Sequence, residues 1–131
     1  MSPGLDVCLV GHPFAPIGMG EQLRASFRAL RSIGLRPAVL DVYESQKPDR
    51  EAEAEFGPFL DRGFRALNLF HLNGDEIEPV LAHLAGRPSP PQTWRAVLPL
   101  WELPDYPAVW ASRLEQFDEV WACSRFIEPQ A

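Results

Sequence analysis

Short apolar runs alternate with stretches of helical spacing along the whole chain. Leu5 to Val10 is almost continuously apolar and ends at Gly11, the pattern of a strand buried on both faces. His12 to Gly18 carries two prolines and a glycine and reads as a loop. From Met19 to Ile33, Leu23, Phe27 and Leu30 recur at helical intervals, while Arg24, Arg28 and Arg31 fall on other faces. Gly34 suits the position just past a helix end, where a left-handed residue is wanted. Arg36 to Val42 is a second strand. A strand, loop, helix and strand in that order make parallel strands joined by a right-handed crossover.

The pattern weakens between Tyr43 and Arg65, which is charged and interrupted by Pro48, Gly57 and Pro58. A short helix around Phe56 to Phe64 is the one element expected there. Ala66 to Leu72 is a third strand, and Ile77, Val80, Leu81 and Leu84 mark a helix after it. Gly86 to Pro91 is a turn-rich connector, and Ala96 to Leu100 a fourth strand. Pro107 to Phe117 reads as a helix with Trp110, Leu114 and Phe117 on one stripe. Glu119 to Cys123 is a fifth strand, with Trp121 expected in the core, and Ser124 fits an N-cap. This alternation predicts one α/β domain over residues 1–131, a three-layer Rossmann-like sandwich with a parallel sheet of about five strands. With no strand between the second and third, the expected order is 2-1-3-4-5. The first and third strands then flank the switch-point crevice, where such sheets bind ligands. The Gly11–Gly20 loop and the His71–Asp75 turn should face one another across it.

Composition narrows the partners. With a net charge of −6 the chain is no general nucleic-acid binder, which needs an excess of Lys and Arg. Much of the acidity lies between Glu44 and Glu55, as in a solvated loop. Cys8 and Cys123 sit in apolar runs and read as buried thiols, and no Cys/His spacing matches a zinc site. The chain shows neither a signal-peptide pattern at its start nor an apolar run long enough to span a bilayer, so a cytoplasmic protein is expected.

Three stretches carry candidate chemistry. Gly18-Met-Gly-Glu21 opens the first helix. Its glycines permit close backbone approach, and the helix start offers free N–H groups to a phosphate or diphosphate. The same residues also suit a plain turn with Glu21 on the helix dipole. His71 and Asn73, two apart at a strand end, could hold sugar hydroxyls, or the imidazole could manage a proton. Otherwise His71 is a hydrogen-bonded core residue, and Asp75 caps the next helix with Glu78 completing a capping box. Trp101-Glu-Leu-Pro104 places an indole and the Glu102 carboxylate just past the fourth strand, a pair that suits a sugar ring. Arg125 could meet an anion at the crevice mouth. His12 and His83 show no partner in the sequence.

Taken in order, these segments resemble the amino-terminal domain of a GT-B glycosyltransferase, of the retaining glycosyltransferase family 4 type. The resemblance rests on Gly18-Met-Gly-Glu21 with Arg24, Ala29, Leu30 and Gly34, and on Asn73-Gly-Asp75. It continues through Trp101-Glu-Leu-Pro-Asp-Tyr-Pro-Ala-Val-Trp110 and Asp118-Glu-Val-Trp-Ala-Cys-Ser-Arg-Phe126. It implies a nucleotide-sugar-dependent transferase of two Rossmann-like domains with no obligatory metal and no further cofactor. This chain would be the acceptor side, with Gly18, Gly20 and Glu21 at the donor diphosphate. Asn73, Asp75, Trp101 and Arg125 would line the acceptor pocket, and His71 and Glu102 would stand nearest the chemistry. No single side-chain base is implied, because the donor phosphate itself is thought to accept the proton in this class. The donor-binding domain lies outside these residues, so the chain alone is expected to transfer no sugar and to self-associate through an exposed sheet edge near Val120 and Trp121. The rival expectation is a stand-alone flavodoxin-like module that binds a small anion or a protein partner without catalysis.

Overall fold

A computed structural model of the 131-residue chain describes residues 6–14, 18–42, 50–73, 75–99 and 115–121. Strand β1 (Val7–Gly11) is followed by helix α1 (Gly18–Ser32) and strand β2 (Ala38–Asp41). Helix α2 (Arg50–Phe56) runs into a 3-10 turn (Gly57–Phe59), then come β3 (Leu67–Phe70), α3 (Ile77–Leu84), β4 (Trp94–Val97) and β5 (Glu119–Val120). All the paired strands are parallel, and the order across the sheet is β2-β1-β3-β4-β5, as the sequence pattern predicts. Leu60 adds one further parallel bridge to Val39 outside β2.

Strand residues alternate between two faces, and each face has its own helices. Val7, Leu9, Val39, Leu69 and Ala96 bury against Leu23 and Phe27 of α1 and Phe56 of α2. Cys8, Val10, Leu40, Phe70 and Val97 bury against Ile77, Val80 and Leu84 of α3, together with Phe64 and Phe117. The result is a three-layer α/β sandwich. Among the described residues Asn68 is the one buried strand residue with an amide side chain, and its polar atoms are engaged. Its oxygen accepts from the Arg65 amide at 2.8 Å, and its nitrogen donates to the Arg65 carbonyl at 2.8 Å and to the Trp94 carbonyl at 3.3 Å.

The end of α1 is a full Schellman motif. The Leu35 amide bonds the Leu30 carbonyl at 3.0 Å and the Gly34 amide bonds that of Arg31 at 3.0 Å. Gly34 takes the left-handed conformation this requires, with φ +89°.

Two sequence expectations need correction. The helix placed over Phe56 to Phe64 begins at Arg50 and gives way to the 3-10 turn at Gly57, because Pro58 lacks the amide a continuing helix needs. Phe56 and Phe64 then part company, one under each face of the sheet. Trp121 is not in the core. It lies just past β5 with 39% of its surface exposed, its indole N–H on Glu119 at 2.9 Å. Trp94, 45% exposed, donates to the other oxygen of the same carboxylate at 3.0 Å. Most of the helix expected over 107–117, together with Cys123 and Ser124, lies outside the described residues. Among those described, no helix is long and apolar enough to cross a membrane.

Candidate functional site

The carboxyl ends of β1 and β3 are neighbours, and the chain leaves them in opposite directions across the sheet. This is the switch point. The His71 amide still bonds the Val10 carbonyl at 2.8 Å, which extends the ladder one residue past β3. The start of α1 and the turn after β3 therefore stand at the same edge, as the alternation of elements predicts.

On the β1 side, α1 begins at Gly18 and buries Gly20. Glu21 is exposed in its first turn and takes Arg24 Nη2 at 2.7 Å, while Arg24 Nη1 holds the Pro13 carbonyl at 2.8 Å. Arg24 thus ties the loop after β1 to the helix and neutralises the carboxylate beside the helix start. Gly11 explains how α1 sits so close. A Cβ there would meet Leu23 Cδ1 at 2.9 Å and the His71 carbonyl oxygen at 3.2 Å.

On the β3 side the chain turns through Asn73. The Glu76 amide donates to the Asn73 carbonyl at 3.0 Å, and Glu76 Oε2 accepts the Asn73 amide at 3.2 Å. The carboxylate reaching back three residues is half of a capping box. Here it closes the turn that precedes α3, between Asn73 and Glu76 and not between Asp75 and Glu78, so the cap expected of Asp75 is corrected. Asp75 is exposed, and Glu76 stands at the N-cap of α3.

The two sides are joined by a pair that the sequence did not reveal. His12, the first residue after β1, places Nε2 2.7 Å from Glu76 Oε1. The hydrogen bond to Glu76 raises the imidazole above its ordinary value against the pull of burial, and the charges of Glu76 and Asp41 act the same way. For Glu76, burial pushes the carboxyl up, but the bonds from His12 and the Asn73 amide outweigh it and hold the group below its usual value. Each partner thus favours the charged form of the other. Its only signals in the sequence are a His directly after a strand glycine and the Asn-x-x-Glu spacing.

His71 lies under the crevice floor. It is fully buried, and Nε2 is 3.0 Å from Ser26 Oγ on α1. Nδ1 is buried without a hydrogen bond, and the Leu69 carbonyl nearby falls short of bonding geometry. Burial pulls its pKa down to about 4, so the ring is neutral at pH 7. A neutral, enclosed imidazole holds α1 against the β3 turn, while Asn73 above it is half-exposed. Trp101, Glu102 and Arg125 lie outside the described residues.

The structure thus brings to one sheet edge a helix start, a paired imidazole and carboxylate, and a half-exposed amide. These can take an anion on one side and hydroxyl groups on the other. Among the described residues no three of His, Cys, Asp and Glu cluster as metal ligands would. No family model matches the sequence, and no curated protein or solved structure matches it.

Proposed function

We propose that this domain is the acceptor side of a retaining, nucleotide-sugar-dependent glycosyltransferase. The observation that supports it most is the switch point between β1 and β3, where the start of α1 and the Asn73 turn stand at one sheet edge and the His12–Glu76 pair joins the two sides. A donor diphosphate would sit at the start of α1, where amide N–H groups and the helix dipole favour negative charge. His12, whose protonated form Glu76 favours, would stand beside it. Asn73 would hold an acceptor hydroxyl, with Asp75 at the mouth, and Trp101, Glu102 and Arg125 would complete the acceptor pocket. His71 is too enclosed to touch a sugar and would act as a positioning residue through Ser26. Most donor contacts would belong to a second α/β domain. Without it the diphosphate meets one wet helix start, where each contact is worth little.

The test is amide NMR of the chain titrated with nucleoside diphosphates, nucleotide sugars and a panel of sugar acceptors. The expected outcome is shifts at Gly18, Gly20 and Glu21 with the diphosphates and at Asn73 with an acceptor, the latter lost in a folded Asn73→Ala variant. Shifts with inorganic phosphate alone and with no sugar would favour the non-catalytic anion-binding module. No shift at the crevice with any probe would refute both.

A further inference from the structure

A second candidate site lies at the opposite edge of the sheet. The last turns of α1 and the 3-10 turn enclose an open groove of about 450 Å³ lined by Phe27, Arg28, Arg31, Ser32, Glu55 and Phe59. Its volume is in the range of small-ligand sites. Arg28 meets Glu55, and Arg31, about one turn further along α1, meets Phe59. Phe27 stacks edge-on against Phe56 and Phe59, each at 4.9 Å between centroids, and fixes the floor.

The charges around this floor are unequal. Arg28 grips Glu55 with two bonds of 2.8 and 2.9 Å, which neutralises the one carboxylate of the lining. Arg31 and Arg36 both lie over the Phe59 ring, at 5.0 and 4.4 Å from its centroid. Arg31 spends one N–H on the Leu35 carbonyl at 3.2 Å. Arg36 makes no hydrogen bond or ion pair with any described residue. Covering one phenyl ring takes one guanidinium. Two on the same ring, in a protein of net charge −6, leave a set of oriented and uncommitted donors beside an aromatic wall.

We propose that this groove binds a small aromatic phosphate, its phosphate between Arg31 and Arg36 and its ring against Phe59 and Phe27. Guanidinium forks match phosphate oxygens, and such charge-assisted bonds are about twice as strong as neutral ones. The helix end does not oppose the anion strongly, because the Schellman bonds already engage the Leu30 and Arg31 carbonyls. The groove is separate from the switch point, and the inference does not rest on the glycosyltransferase reading.

The probe is phenyl phosphate, with inorganic phosphate and phenol as controls, followed by NMR of the Arg31 and Arg36 side-chain N–H groups and the Phe59 ring. Phenyl phosphate should give saturable shifts at all three and bind more tightly than either control. Arg36→Gln should weaken it by about tenfold or more, the loss expected for a hydrogen bond to a charged group. Arg36 is exposed and makes no hydrogen bond or ion pair with a described residue, so this variant gives up only its contact with the Phe59 ring. Phe59→Leu should erase the advantage of phenyl phosphate over inorganic phosphate. Absence of saturable shifts, equal affinity in Arg36→Gln, or shifts confined to Gly18–Glu21 would each overturn the proposal.

Discussion

His12 and His71 each follow the last residue of a neighbouring strand, yet they sit on opposite sides of the ordinary histidine value. Burial takes His71 down to about 4, whereas Glu76 lifts His12. The two contribute to stability with opposite dependence on pH. Unfolded chains take up a proton on His71 below 6.5, but the folded state resists until about 4, so stability falls as pH drops through that interval. The His12 contribution is fully present below 6.5 and is lost as pH rises through its raised folded value. That of Glu76 is present above 4.5 and is lost as pH falls through its lowered value. Between 6.5 and 4.5 His71 therefore dominates the slope. Urea unfolding should show wild type losing about 2–3 kcal/mol over that window. His71→Gln should start less stable at pH 7 and lose much less over the same window. Equal slopes in the two proteins would remove burial of His71 as the cause. The sequence placed His71 at a strand end correctly but could not tell floor from wall, because that depends on how closely α1 approaches through Ser26.

At the scale of elements, α1 is held at both ends by glycine, each for a different reason. Gly34 supplies a backbone conformation, whereas Gly11 supplies space under Leu23. Gly11→Ala should destabilise the fold by about 1–3 kcal/mol, the usual range for overpacking. Leu23 can rotate, but the His71 carbonyl at 3.2 Å is backbone and cannot give way easily. Chemical denaturation measures this, and an unchanged midpoint would mean that α1 slides outward without penalty. Helix α1 was legible because its apolar stripe, Leu23, Phe27 and Leu30, keeps the helical period for about two turns. Helix α2 was not, because its sequence Arg-Glu-Ala-Glu-Ala-Glu-Phe buries only Phe56. A helix this short is unstable by itself. Burying Phe56 contributes about 1.5–3 kcal/mol, while the exposed Arg28–Glu55 pair adds at most about 1 kcal/mol. Its position is set by a pocket between α1 and the sheet, and no local pattern encodes that. The Asn73–Glu76 turn was missed for a related reason. Asp75 and Glu78 offered the same spacing two residues later, and only the reach of Glu76 toward His12 separates the two.

At the scale of the molecule, the sheet has a centre and a periphery. β1 pairs with both β2 and β3, and everything beyond β3 attaches to it indirectly. The first pairing joins Cys8 to Ala38, about thirty residues on, and the second joins Val7 to Leu67, about sixty residues on. Doubling the loop adds only about 0.6 kcal/mol of closure entropy, so distance alone does not order these events. The crossover helix does, because Leu23 and Phe27 cover β1 and β2 as soon as they pair. Stopped-flow kinetics should therefore show Val39→Ala in β2 slowing folding, and Val97→Ala in β4 mainly accelerating unfolding. The reverse pattern would put the nucleus at the other edge. During synthesis the β1–α1–β2 unit can close before Leu67 leaves the ribosome. The crevice takes its two walls from β1 and β3, so it cannot exist in that early unit. A nascent chain of this protein is then folded in part before it can hold any ligand at its switch point, and a ligand there can select only for chains that have gone on to add β3.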